Sequence, residues 1–264
     1  MEPLPSLYIV NLFAALGLMT LAWGISVLLK NAGVADIFWG LGFGLIAWLT
    51  FVMGSGYPPR AILLAVLASI WGLRLAVYIW ARSKGEPEDR RYKALRKKEG
   101  ERFWYSSLYR IFWPQAVLLW VISLAVQAGG ASAAPAKWTW LDGLGLFLWM
   151  IGFVFEATAD WQLTQFKKNP LNKEKVLNRG LWKYSRHPNY FAESLIWWGI
   201  FVIVVSSPAH WWTIISPATI TFLLLRVSGV RLLEKTIQKR RPHYETYIRN
   251  TSAFFPWFPK KEKS

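Results

Sequence analysis

The chain has 264 residues, of which 54% are hydrophobic, 17% aromatic and only 17% charged, with 18 Trp and a net charge of +16. Charged residues fall well below the roughly one quarter usual in soluble domains, and the absence of cysteine excludes a disulfide framework, a thiolate nucleophile and a zinc ribbon. A positive charge of this size would suit nucleic acid in a soluble protein, but here the apolar residues fall in blocks, which excludes that partner.

Seven apolar stretches follow one another, at 7–29, 34–53, 61–81, 111–128, 141–159, 191–206 and 211–225. A bilayer core about 30 Å thick takes roughly 20 helical residues at about 1.5 Å each. The first five stretches fit that length. The last two are short, are separated only by Ser207-Pro208-Ala209-His210, and read as two tilted spans or a re-entrant hairpin. The segment ahead of the first stretch carries Glu2 and no positive charge, so that stretch reads as a span and not as a cleaved signal. In lipid each span must satisfy its own backbone, which favours helices. The expected fold class is all-α: a polytopic membrane helix bundle of about seven transmembrane helices, forming a single domain over residues 1–264.

Charge sets the orientation. With seven spans, 28 of the 31 basic residues fall on one side, which includes Lys30, the loop from Arg82 to Arg110, the loop from Lys167 to Arg186, and everything from Arg226 onward. Arg60 and Lys137 fall on the other side, and Arg74 lies within the third span. Positive residues stay in the cytoplasm, so the amino terminus is expected outside and the carboxy terminus inside.

Five ionisable residues sit within or beside the spans: Asp36 opens the second, Arg74 lies in the third, Glu156 and Asp160 close the fifth, and Glu193 opens the sixth. A charge deep in a bilayer costs about 2.5–3.5 kcal/mol on insertion scales, so such residues face a partner or a wet cavity. Glu156 and Asp160 are four apart and share a helix face, as do Trp71, Arg74 and Tyr78, and also Glu193 and Trp197. Interhelical pairing, for instance of Arg74 with Asp160 or Glu156, explains any one of them. Their common depth in the cytoplasmic half points to a polar site.

The basic loops supply an anion-binding surface. Residues 82–110 carry a turn at Gly85 and Pro87 and then an amphipathic helix, whose Lys93, Lys97 and Lys98 suit attraction to anionic lipid. The next loop begins with Lys167, turns at Asn178-Arg179-Gly180, and ends in Arg186-His187-Pro188-Asn189-Tyr190 just ahead of a span. Pro188 suits the first turn of a helix, where free backbone donors and the dipole attract anions. Arg186, His187 and Asn189 add side-chain donors there, a cradle for a phosphate or for the edge of a nicotinamide or adenine ring. The tail places Arg240, Arg241 and Arg249 among Tyr244 and Tyr247, a mixture that suits either a nucleotide or the interface, whereas Phe254, Phe255, Trp257 and Phe258 suit membrane anchoring.

The motifs FEATAD, GLWKYSRHPNYFAE with WWG following, and RRPHYETYIRNTSAFFPW, between Phe155 and Trp257, resemble those of the steroid 5-alpha-reductase-like membrane family, in particular its uncharacterised bacterial branch. More distantly the chain is similar to sterol carbon-14 reductases and isoprenylcysteine carboxyl methyltransferases. The resemblance implies seven helices in a bacterial inner membrane, NADPH in the cytoplasmic half, and a lipid or steroid-like substrate entering from the bilayer. It implies cofactor-side roles for Asp160, Asn189, Glu193, Arg226 and Arg249, and it matches Arg74 and Tyr78 to a basic residue and a tyrosine of the family's third helix. With Glu156, Lys167, Arg186, His187, Tyr190 and Tyr244 these residues form the expected cofactor-binding set, apart from Tyr78. The second span, ADIFWG, lacks the Gln-Glu pair that steroid reductases use to hold the substrate carbonyl, and Trp71 stands where their tyrosine would be.

The expected reaction is NADPH-dependent reduction of an activated carbon-carbon double bond. Asp36 is the expected proton donor, with Tyr78 or Trp71 beside it, since stabilising the developing oxyanion carries most of the rate in such steps and a buried carboxyl can stay protonated at neutral pH. The alternative enzyme is an S-adenosylmethionine-dependent lipid methyltransferase, which asks for fewer cations. A lipid-binding or transport protein is the non-enzymatic alternative, although no internal repeat of the transporter kind is present.

Overall fold

The computed structural model describes residues 5–227, 230, 234 and 244–260. Among them the chain is helical, with turns between helices and no strand. The structure groups into two compact units: Met1–Thr139 with Val204–Ser216, and Trp140–Ile203 with Pro217–Ser264.

In the first unit α1 (Pro5–Leu28), α2 (Val34–Met53) and α3 (Pro58–Ser83) are joined by short turns. Apolar helices in lipid gain little from burying more apolar surface, so close packing of small residues must hold them together. Gly40 and Gly72 supply it: a Cβ on either glycine would strike the backbone carbonyl oxygen of the other. Beside that crossing, the fully buried Trp71 packs edge-on against Phe43, with ring centroids 5.2 Å apart. Polar ties complete the unit. Asn11 Nδ2 donates to Thr50 Oγ1 at 2.9 Å and to Gln127 Oε1 at 3.1 Å, all three residues being fully buried. Arg60, 1% exposed, donates to the carbonyls of Pro135 and Lys137 at 2.9 and 2.8 Å, which gives its charge a fixed set of acceptors.

The basic loop forms α4 (Arg90–Glu99) and α5 (Phe103–Ser107), followed by a π turn (Leu108–Phe112), α6 (Trp113–Ile122) and α7 (Leu124–Ala131). The π turn has a local cause. Pro114 has no N–H and its ring crowds the carbonyl four residues back, and the Trp113 N–H reaches back to Leu108 O. The path then bends by 43° at Ser123. There Gln127 Nε2 donates to Trp120 O at 3.1 Å and to Ser123 Oγ at 2.9 Å, and Ser123 Oγ donates to Trp120 O at 2.9 Å. Side chains bonding into the backbone ladder in this way bend helices.

The second unit is built on α8 (Trp140–Lys168) and α9 (Pro188–Val204). A Cβ on Gly145 would lie 2.5 Å from Gly199 O, one on Gly199 2.7 Å from Gly145 O, and one on Gly152 2.9 Å from Ala192 O. These contacts run toward the carboxy end of α8 and the amino end of α9, so the two helices are antiparallel. The same seam reaches Asp160 and Asn189, whose side chains are hydrogen-bonded. Farther along the chain Pro208–Ile214, a 3-10 turn of the first unit, precedes α10 (Ile215–Phe222), a π turn (Leu223–Val227) and α11 (Tyr244–Asn250).

All seven apolar stretches are therefore helical, but their lengths differ. Four helices, α1, α2, α3 and α8, are long and apolar enough to cross a membrane, or five if the bent path through α6 and α7 is one span. α9 has 17 residues, and the last stretch is divided among 3-10, α and π turns. Large apolar side chains face outward from these helices, with Phe13 67%, Val77 60% and Val154 63% exposed. Apolar surface on that scale calls for lipid or a partner, and with the long apolar helices it makes this an integral membrane protein.

The α8–α9 seam sets a test. Gly152→Leu forces a side chain into Ala192 and Ile196 and should lower stability by about 1–3 kcal/mol or more, read as a fall in detergent melting temperature. Gly143→Leu, on the same helix with open space around it, should leave the melting temperature unchanged.

Candidate functional site

The first cluster lies at the start of α2. Tyr92 of α4 donates its phenol hydrogen to Asp36 Oδ1 at 2.6 Å, and Gln115 Nε2 of α6 donates to the same phenol oxygen at 3.3 Å. Arg91 Nη2 stands 3.6 Å from Asp36 Oδ2. At 2.6 Å this bond lies at the short end of the ordinary O–H···O range. The loop residues fix α4 in place. Asp89 caps it by accepting from Arg91 N at 2.8 Å, and Glu88 accepts from Ala32 N at 2.8 Å and from Arg96 Nη2 and Nε at 2.7 and 2.9 Å. Burial alone would raise the Glu88 carboxyl, but the bonds from Arg96 and Ala32 outweigh it and hold the group below its ordinary range. The expected amphipathic helix is α4, and its Lys93, Lys97 and Lys98 are exposed.

Of the other residues expected near Asp36, Trp71 is enclosed in the α2–α3 packing, and Tyr78 has its ring 5.4 Å from the Arg82 guanidinium carbon. Arg74 lies half-buried on the same helix. The residue that the structure brings to Asp36 is Tyr92.

In the second unit the motif around Arg186 forms a clasp. The turn before it needs Gly180, whose φ of +61° is strained for other residues and whose Cβ would strike Gln162, the acceptor of Leu181 N at 3.0 Å. Arg186 Nε and Nη2 donate to Glu234 at 2.7 and 3.3 Å, and Nη1 donates to Thr251 O and Ile248 O at 2.7 and 2.8 Å. His187 Nε2 lies 3.2 Å from the same Glu234, and its ring stacks on Tyr190 at 5.4 Å. Burial would raise the Glu234 carboxyl, but His187 and Arg186 together hold it below its ordinary range. Ser185 Oγ donates to Phe254 O at 2.9 Å, and the Tyr247 hydroxyl donates to Trp182 O. Arg186 and His187, expected in an anion cradle, here contact Glu234, and Arg186 also bonds two carbonyls of the carboxy-terminal segment.

Pro188 opens α9 as expected, and Asn189 Nδ2 donates to Asp160 Oδ1 at 3.2 Å. Glu156 and Asp160 are both buried on α8, and Glu193 is half-buried one turn into α9. Tyr244 is buried, edge-on to Tyr247 at 5.7 Å. Lys167, Arg226 and Arg249 are exposed. Arg240 and Arg241 lie outside the described residues. Tyr92, Gln115 and Glu234 went unread in the sequence. The one available signal was that Tyr92 is the sole aromatic residue on a largely charged helix.

Long apolar helices with a few buried, mutually bonded polar groups define a helical membrane protein with internal polar sites. The chain belongs to the family described as a protein of unknown function (DUF1295), which it matches over residues 22–251, a family of steroid 5-alpha-reductase-like membrane proteins. An uncharacterized protein of Schizosaccharomyces pombe is 28% identical over 284 residues, 94% of this chain and 79% of its own. A probable O-methyltransferase of Ustilaginoidea virens is 42% identical over 48 residues, 18% of this chain and 17% of its own. No solved structure matches.

Arg186→Ala leaves Glu234 and two carbonyls without their donor, a loss of about 3–5 kcal/mol for a broken buried pair. Limited proteolysis should then cut within the carboxy-terminal segment, and Arg186→Lys, which lacks the planar fork, should rescue little. For pH, Glu88 and Glu234 have depressed values, so their stabilisation is present above the unfolded carboxyl range near about 4.3 and is lost as pH falls through the folded values. Melting temperature should drop on acidification below that range, and less steeply in a Glu88→Gln, Glu234→Gln double variant.

Proposed function

We propose that the protein is an NADPH-dependent membrane reductase of an activated carbon-carbon double bond in a lipid or steroid-like enone that enters from the bilayer. The observation that carries this reading is the Tyr92–Asp36 hydrogen bond of 2.6 Å, steadied by Gln115. Reduction of an enone places negative charge on the carbonyl oxygen, and an ordered donor at that oxygen lowers the barrier. In its protonated form Asp36 accepts from Tyr92 through one oxygen and keeps a hydrogen on the other for the substrate oxygen. Tyr92 and Gln115 hold the carboxyl in one orientation, and Arg91 limits how far it can turn.

The polar groups of the second unit fit the cofactor by their chemistry. Asp160 and Asn189 offer an acceptor and donors of the kind a carboxamide edge requires, and Lys167, Arg226 and Arg249 are exposed cations suited to phosphates. Glu156, Glu193 and Tyr190 support that set. NADPH, when bound, supplies the hydride. We read all seven apolar stretches as spans, with the amino terminus outside and the carboxy terminus in the cytoplasm of a bacterium whose inner membrane holds the protein.

A second reading is favoured by the 48-residue match to a probable O-methyltransferase: methyl transfer from S-adenosylmethionine to a lipid. In that case Asp36, ionised, accepts a proton from the nucleophile.

Cofactor-dependent stabilisation separates the two. NADPH at about a hundred times its Kd should stabilise the purified protein by about 2.7 kcal/mol, with a corresponding rise in melting temperature. Asp160→Asn with Asn189→Ala should abolish that rise, while Tyr92→Phe should preserve it and lower enone turnover by about tenfold or more. Stabilisation by S-adenosylmethionine and not by NADPH would reverse the order of the two readings.

A further inference from the structure

A groove of about 1060 Å³ opens on the second unit, between the loop of residues 171–183 on one side and α11 with residues 259–260 on the other. Lys175, Lys183 and Lys260 line it with Asn178 and Asn250, against one carboxylate, Glu174. None of these residues belongs to the proposed reductase or methyltransferase site. Two backbone bonds fix the walls: Trp257 N donates to Tyr184 O at 2.9 Å, linking the two sides, and Lys260 N donates to Asn250 O at 2.9 Å, tying residue 260 to the end of α11. Around the polar interior the surface is apolar. Leu171 on the rim is 77% exposed, and Trp257 and Phe258, just ahead of Pro259, are 72% and 76% exposed. Phe258 packs edge-on against Tyr184 at 6.0 Å, and the Lys183 ammonium lies 5.9 Å from that same tyrosine ring.

Lysines set among exposed aromatic residues are the arrangement that the membrane interface selects, with rings at the level of the headgroups and ammoniums meeting their phosphates. We propose that this groove receives the phosphate of an anionic phospholipid headgroup, drawn from the leaflet in which the exposed aromatic residues sit. The lysines neutralise the phosphate, and the two asparagine amides supply donors for its oxygens or for a glycerol hydroxyl. Leu171, Trp257 and Phe258 lie against the upper acyl chains. The site stands whether the protein is a reductase, a methyltransferase or neither.

Native mass spectrometry of the full-length protein, released from bilayers of phosphatidylcholine with one part in five phosphatidylglycerol, tests it. The expected result is retained phosphatidylglycerol, reduced about fivefold by Lys183→Ala and again by Lys260→Ala, the factor for one basic residue at an anionic surface. The control pair Lys30→Ala and Lys84→Ala, exposed elsewhere on the chain, should leave retention unchanged, and the melting temperature of each variant in pure phosphatidylcholine should match that of the parent. Equal losses from both pairs would reduce the effect to general surface charge and overturn the proposal. Stabilisation by inorganic pyrophosphate, lost in Lys183→Ala, with no phosphatidylglycerol retained, would make the groove a site for soluble phosphates instead.

Discussion

A charge taken out of water must find fixed partners, and that requirement shapes this molecule more than any apolar contact does. Lipid tails are as apolar as the side chains they touch, so burying more leucine does little to choose one helix arrangement over another. Charges do choose. Arg60 draws the carbonyls of Pro135 and Lys137 to itself, and Asp36 fixes Tyr92 and through it Gln115. Arg186 gathers Glu234 and two carbonyls of the carboxy-terminal segment. Each of these ties joins residues dozens of positions apart. Glycine then decides how near the helices can come, by leaving backbone against backbone at Gly40 with Gly72 and at Gly145 with Gly199.

The helices were legible because hydropathy is a local property. The stretch at 34–53 coincides with α2, and those at 7–29 and 61–81 differ from α1 and α3 by one to three residues at each end. Pro188 opening α9 and the turn at Gly180 were legible for the same reason, since each is dictated by the conformational range of one residue. The extension of α8 to Lys168 was not, because Gln162, Thr164 and Gln165 are too polar to read as a span. The break at Ser123 was equally hidden. It depends on a glutamine four residues on turning back into the backbone, which no hydropathy window registers.

The site divides along the same line. Asp36, Asp160 and Asn189 stood out because polar groups beside an apolar span are conspicuous. Tyr92, the partner of Asp36, and Glu234, the partner of Arg186, did not, since both lie in charged segments where one more polar residue attracts no notice. Arg186 shows what this costs. A guanidinium beside His-Pro-Asn reads as a ligand donor, yet four of its N–H bonds are directed to protein acceptors, and only the location of Glu234 reveals it.

The Arg186 clasp also bears on how the chain is made. The acceptors of its side chain lie 48, 62 and 65 residues farther along the sequence. A polypeptide synthesised from its amino end completes α9 before any of them exists. During that interval the guanidinium must be satisfied by other acceptors, water among them. Closing the clasp is therefore a late event in biogenesis, in which protein acceptors replace borrowed ones. A ribosome paused ahead of Glu234 would leave a chain with α8 and α9 already synthesised and its most demanding cation still exchanging partners.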